Sequence, residues 1–238
     1  MSEPAAGSSA PGGSASGSSA PGSSAPLRAA MLSVADALDG ARSELGRLDG
    51  AAGDGDHGMT MSIAARNLRK RLQALPEDAA PAELIRAAAA SVGDVGGAIG
   101  PLYSAALTSI AADVEQRPAG AGLDAGTLRR AAEVALGAIT NLGHAEPGDK
   151  TVVDALHPIV ASLRAAEAAD MDSGAAAISA ADAGEDGAAA TADLIARIGR
   201  ASRLGERSRG LPDAGATSLA LIVRTLADAH LRHRASGG

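Results

Sequence analysis

With no Trp, no Phe and a single Tyr, Tyr103, this chain has to build its core from Ala, Leu, Ile and Val. That restriction limits the fold more than any motif does. Strands favour β-branched and aromatic residues, whereas Ala is the strongest helix former and lets helices approach closely. The 238 residues are enough for one large domain or two small ones, and this composition points to packed helices.

Helical spacing agrees from Leu27 onward. Residues 27–48 carry Leu27, Met31, Ala35, Leu38, Leu45 and Leu48 as a drifting one-sided stripe, which predicts a first helix. A second covers 59–75, where Ile63, Leu68, Leu72 and Leu75 stand apart from the basic run 69–71. Pro81 opens a third through about Val95. The fourth begins near Pro101, and the fifth follows Asp124, a candidate N-cap. The sixth starts at Thr151, the Ala-rich stretch 174–198 makes a seventh, and 215–232 an eighth. Gly184 and Gly187 weaken the seventh, each costing roughly 1 kcal/mol against Ala in a helix. No alternating strand of useful length is present. The expectation is one all-α domain of about eight helices over 27–238. Ahead of it, residues 1–26 repeat a Ser-Ser-Ala-Pro theme too poor in apolar area to offset its ordering entropy, and read as a disordered tail.

The formal charge of −7 argues against a general nucleic-acid binder. No apolar run reaches a membrane span, and the N-terminus lacks the order of a signal peptide. Without Cys there is no disulfide and no zinc–thiolate site, which suits a reducing cytoplasm.

Residues 53–58, GDGDHG, fit a G-x-G-x-x-G phosphate turn, yet two of the remaining three are aspartates, which repel phosphate. With the residues before it the segment reads LDGAAGDGDHG, so Asp49, Asp54 and Asp56 fall between two predicted helices. Carboxylates so close repel one another unless a cation neutralises them, and hard oxygen ligands suit Mg²⁺ or Ca²⁺. An EF-hand fits poorly, because the twelfth position from Asp54 is Ala65 and not Glu. A dinucleotide turn fits poorly too, since no strand precedes it, and no P-loop is present. The plainer alternative is that Asp49 and Asp56 only cap helix ends. If the aspartates hold Mg²⁺, the loop grips phosphate through metal while the following helix start adds N–H donors.

Three further segments suit the same task. GDVGGAIGP (93–101) is a glycine cluster opening into a helix, GHAEPGDKT (143–151) sets Lys150 beside a helix start, and 199–218 gathers Arg200, Arg203, Arg207 and Arg209.

The segments LDGAAGDGDHG, GGAIGPLY, GHAEPGDKTVVDAL and GRASRLGERSRGLPDAGATS, in that order, resemble the L subunit of dihydroxyacetone kinase, over roughly residues 27–238. The resemblance implies a closed barrel of eight antiparallel helices. It implies ADP or ATP at one end, bound through two Mg²⁺ on Asp49, Asp54 and Asp56. His57 and the helix start Gly58, Met59 and Thr60 would then contact the phosphates. Ala98, Ile99, Gly143, Lys150, Val152, Arg200, Asp213, Ala214 and Gly215 would line the rest of the nucleotide site. In the family a small hydroxyl residue is usual where this chain has Ile99, a methionine is common where it has Val152, and an aromatic where it has Arg203.

By the same resemblance the ketone, dihydroxyacetone or a related ketose, is held on a separate K subunit or domain, for which this chain has no room. Two chemistries fit. ADP can stay bound as a cofactor rephosphorylated by a phosphohistidine-bearing phosphotransferase-system partner, which a free-standing L chain favours. Alternatively, ATP is the substrate of a glycerone kinase subunit. A rival from another class is a nucleotide-sensing or partner-binding module, since family L subunits can also contact a transcriptional regulator. The blandest rival is a helical domain with an incidental acidic loop. His144 and His157 read as helix-end and helix-face histidines.

Overall fold

The computed structural model describes residues 24–118 and 121–237, so the expected tail lies outside the described residues up to residue 23. Ala25 and Pro26, expected in that tail, instead form the first turn of helix α1 (Ala25–Gly40), where Pro costs nothing because its N–H would be unpaired anyway. The chain continues through α2 (Arg42–Ala52), α3 (His57–Ala74), α4 (Pro81–Gly93), α5 (Ile99–Glu115), α6 (Ala125–Gly143), α7 (Val153–Ala168), α8 (Ser173–Ala190) and α9 (Ala214–Ser236). Two 3-10 segments, Thr191–Asp193 and Arg200–Ser208, lie between α8 and α9. Among the described residues there is no strand.

Eight of these helices close a ring. α1 packs on α3, each later helix packs on the next, and α9 returns to α1. Consecutive helices of the ring are antiparallel, and most are joined by short connections. The connections 41–56, 94–98, 144–152 and 191–213 therefore gather at one end of the barrel, and 75–80, 169–172 and the described residues 116–118 and 121–124 at the other. α2 stands outside the ring, against α3, α9 and the second 3-10 segment. Small side chains allow the close fit: Ala35, Ala111, Ala155, Ala176, Ala181 and Ala216 have no exposed surface. Leu45, Leu72, Leu84 and Met61 fill the larger gaps.

Two expected helices have different limits. The stretch 27–48 breaks at Ala41, which lets α2 turn under the start of α3. There Gly58 lies against α2, and a Cβ at Gly58 would overlap the Arg42 carbonyl and come within 2.7 Å of Gly46 N. The apolar stripe runs through this break, so spacing gave no sign of it. The stretch 174–198 is helical only to Ala190 and then through the short 3-10 turn. Thr191 has no exposed surface, donates to the Ala188 carbonyl and accepts from Asp213 N at 2.7 Å, which diverts the chain toward α9.

Gly184 and Gly187 do lie inside a helix, and close packing explains them. Cβ atoms there would stand 2.8 Å from Ile159 Cδ1 and 2.5 Å from the Asp154 carbonyl oxygen. Pro158, inside α7, has no N–H to give that carbonyl. No helix of the described residues is long and apolar enough to cross a membrane.

Candidate functional site

α2 does not stop before the acidic loop, as the sequence suggested. Asp49 belongs to its last turn, and the helix ends at Gly53. A Cβ at Gly53 would be 2.5 Å from Asp49 Oδ1, so glycine here leaves room for the carboxylate. Gly55 turns the chain at φ +77°, a left-handed conformation that side chains resist. The glycines of GDGDHG thus serve the placing of acids and the docking of α2 on α3.

The result is a cluster. Asp49, Asp54 and Asp56 each offer an oxygen, all within 4.8 Å of one another, with Asp49 half-buried and the other two exposed. Asp49 Oδ2 also accepts from His57 N at 3.1 Å, capping α3 from a neighbouring helix, while Asp56 occupies the N-cap position with no side-chain cap bond. Capping therefore explains part of Asp49 and nothing of Asp54. Arg200 pairs with Asp54 and reaches Asp56 Oδ1 at 3.5 Å. Three carboxylates against one guanidinium leave two negative charges beside the N-terminus of α3. A hard-oxygen donor set of this kind fits Mg²⁺.

The other expected residues fall into three groups. Gly58, Met59 and Thr60 form the first turn of α3; Met59 is exposed, and Thr60 N donates to the Asp56 carbonyl at 2.9 Å. Ala98, exposed, caps α5. Ile99 and Val152 converge on Gly215, whose absent Cβ would lie 3.8 Å from Ile99 Cδ1 and 3.9 Å from Val152 Cβ. Gly143 ends α6 against Leu102.

The third group is turned inward. Lys150, at φ +62° and 3% exposed, donates to the carbonyls of Thr191 and, at 2.7 Å, Leu211. Burial lowers its pKa, with Asp213 and Asp154 opposing. Asp213 caps α9 through Ala216 N at 2.8 Å, Ala214 is buried behind it, and burial pushes the Asp213 carboxyl up to about 6. His57 is neither turned to solvent nor aimed outward: it is buried, with Nε2 3.0 Å from Ser218 Oγ, and burial lowers its pKa against the pull of Asp49.

Sequence reasoning missed Ser218, Thr191 and Asp154. Asp154 accepts from Gly148 N at 2.5 Å and Thr151 N at 2.7 Å, fixing the turn that carries Lys150. An acid just inside a helix start was the available signal for Asp154. Nothing local marks Ser218, whose partners are 115 and 161 residues away.

Known proteins agree with this architecture. The sequence model of the DAK2 domain family matches residues 51–228. The chain is 44% identical over 202 residues to a D-erythrulose kinase of Mycolicibacterium smegmatis, covering 82% of this chain and 34% of that protein. It is 37% identical over 186 residues to the ADP-binding subunit DhaL of a PEP-dependent dihydroxyacetone kinase of Listeria innocua, covering 76% and 84%. The crystal structure of the dihydroxyacetone kinase from C. freundii in complex with AMP-PNP and Mg²⁺ superposes with a TM-score of 0.65 at 26% identity, over 95% of this chain and 38% of that one. The chain thus spans about a third of the erythrulose kinase and most of the DhaL subunit. With a family match over most of its length and the same helical barrel, this chain belongs to the DAK2 domain family and is a DhaL-like protein.

Proposed function

We propose that the chain is the nucleotide-binding part of a ketose kinase, holding ADP or ATP through Mg²⁺ on Asp49, Asp54 and Asp56. The observation that carries this reading is the convergence of those carboxylates within 4.8 Å at a helix N-terminus. A cation relieves the repulsion of such clustered like charge, and the same helix start favours phosphate. Asp49, Asp54 and Asp56 would hold the Mg²⁺, which when bound would supply positive charge to stabilise a phosphoryl group in transfer. Gly58 and Met59 supply N–H groups of that first turn. Arg200, now balancing Asp54 and Asp56, would find a second anionic partner in the phosphates. Ile99 and Val152 give the site an apolar wall beside Gly215, suited to a nucleobase. Lys150 would act from behind, holding the turns before α7 and α9 in place.

The acceptor in this reading is a small hydroxyketone presented by a K subunit or domain. Relatives are named for D-erythrulose, L-erythrulose and dihydroxyacetone, which supports the class and not one member of it. The donor is read two ways. ADP kept as a cofactor and rephosphorylated by a phosphohistidine protein matches the PEP-dependent relative; ATP as a substrate matches the C. freundii kinase held with AMP-PNP and Mg²⁺. The test is phosphoryl transfer to dihydroxyacetone and to each erythrulose, with Mg²⁺, ATP and an added K subunit. Ketose phosphate is the expected product. Tight ADP binding with no transfer to any of them would make the chain a nucleotide-sensing module, with Ile99 the residue to revert to Ser first.

A further inference from the structure

Three helices that begin at the site end meet beneath the acidic cluster through hydroxyl groups. His57 opens α3, Tyr103 lies in the early turns of α5, and Ser218 lies in the second turn of α9. Ser218 Oγ is 3.0 Å from His57 Nε2 and 3.2 Å from the Tyr103 hydroxyl, and donates to the Gly215 carbonyl at 3.0 Å. The Tyr103 hydroxyl is 3.2 Å from that carbonyl too, and its one proton goes either there or to Ser218 Oγ. Ser218 has no exposed surface, Tyr103 7% and His57 8%. Burial holds the Tyr103 hydroxyl well above its ordinary pKa, so it remains a neutral partner.

Packing alone does not ask for a polar side chain at 218. Ala216 and Ala220 on the same helix are buried without one. A buried hydroxyl is costly unless satisfied, and a satisfied network fixes one arrangement of the elements it joins. Here it fastens a carbonyl of the first turn of α9 to the first residue of α3. Those two starts, 57–60 and 213–215, are the ones that flank the nucleotide in the reading above.

We propose that Ser218 is a positioning residue: through His57 and Tyr103 its hydroxyl sets the spacing of the α3 and α9 N-termini, and so the affinity of the site for a magnesium-bound nucleoside diphosphate. The inference rests on the nucleotide-binding reading. It makes the imidazole of His57 a brace and leaves the gripping of phosphate to the backbone of the turn.

The test pairs Ser218→Ala with a matched substitution at the far end of the barrel. Ser173 is also a buried serine bonded to a histidine, its Oγ 2.9 Å from His230 Nε2. ADP with Mg²⁺ is titrated calorimetrically into the full chain and both variants, and Tm is measured for each. Both variants should lose thermal stability, but only Ser218→Ala should lose ADP affinity, by about tenfold for the broken network. Tyr103→Phe, which removes one hydroxyl and keeps the ring, should lose about threefold and serves if Ser218→Ala does not fold. Unchanged ADP affinity in the folded site variants, or an equal loss in Ser173→Ala, would overturn the inference. Failure of the wild-type chain itself to bind ADP would overturn the nucleotide reading, and this inference with it.

Discussion

Asp124 and Asp172 start helices at the end of the barrel away from the acidic cluster; Asp213 starts one beside it. All three accept N–H groups of the helix they precede: Thr127 N at 2.6 Å, Gly174 N at 2.9 Å and Ala216 N at 2.8 Å. At the far end the carboxyls are exposed. The bond with Thr127 lowers the pKa of Asp124, and the bond with Gly174 N lowers that of Asp172. At the site end burial outweighs the same kind of bond, and Asp213 rises to about 6. One end of the barrel uses charge to hold itself together. The other gathers more charge than its caps and turns use: a clustered acid trio of which only Asp49 caps a helix, beside a buried Lys150 and a half-buried Asp213. That division is expected where a site must be ready for a ligand that the fold itself does not need.

The largest effect that would sharpen this contrast is Gly58→Ala. Its Cβ has no room against the Arg42 carbonyl, so α2 must lift from α3. Overpacking of that kind costs about 3 kcal/mol, read by urea unfolding, and should abolish Mg²⁺-dependent ADP binding as Asp49 leaves the cluster. A fully stable variant that still binds would show that the docking of α2 does not place the acid.

Next is Asp213→Asn, which keeps the cap and removes the charge. A carboxyl raised in the fold lends stability that is complete below its unfolded pKa, near 4, and is lost as pH rises through about 6. The wild type should therefore lose on the order of 2 kcal/mol relative to the variant across that window. A flat difference between the two curves would remove Asp213 from the contrast.

The smallest effect belongs to the far end. Asp124→Ala should lower Tm slightly at neutral pH, by a margin that shrinks as pH falls below about 4, because the depressed pKa gives stability only above it. ADP affinity should not change. A loss of affinity would mean that the two ends are coupled.

Local chemistry was legible in the sequence, and distant contacts were not. Asp124 and Pro81 marked helix starts because caps and N-terminal prolines act within one turn. The four site segments were legible for a similar reason: each is one of the four connections at one end of an antiparallel ring, and each carries its glycines and charges in a short run. The break at Ala41 was hidden because the apolar stripe passes through it, and the end of α8 because alanines continue toward a Thr191 whose partner, Asp213, is remote. Gly184 and Gly187 looked like weakness in a helix, whereas their cost is offset by the approach of α7. The brace of His57, Tyr103 and Ser218 joins positions that no local pattern connects.

The most direct test of the central claim is calorimetric titration of ADP into EDTA-treated protein, with and without Mg²⁺, on the wild type and on Asp54→Ala. Asp54 takes no part in a helix cap, so its removal tests the cation site and spares the fold. Binding that requires Mg²⁺ and weakens about a hundredfold in the variant is the predicted result. Binding indifferent to Mg²⁺ and to Asp54, or no binding at all, would contradict it.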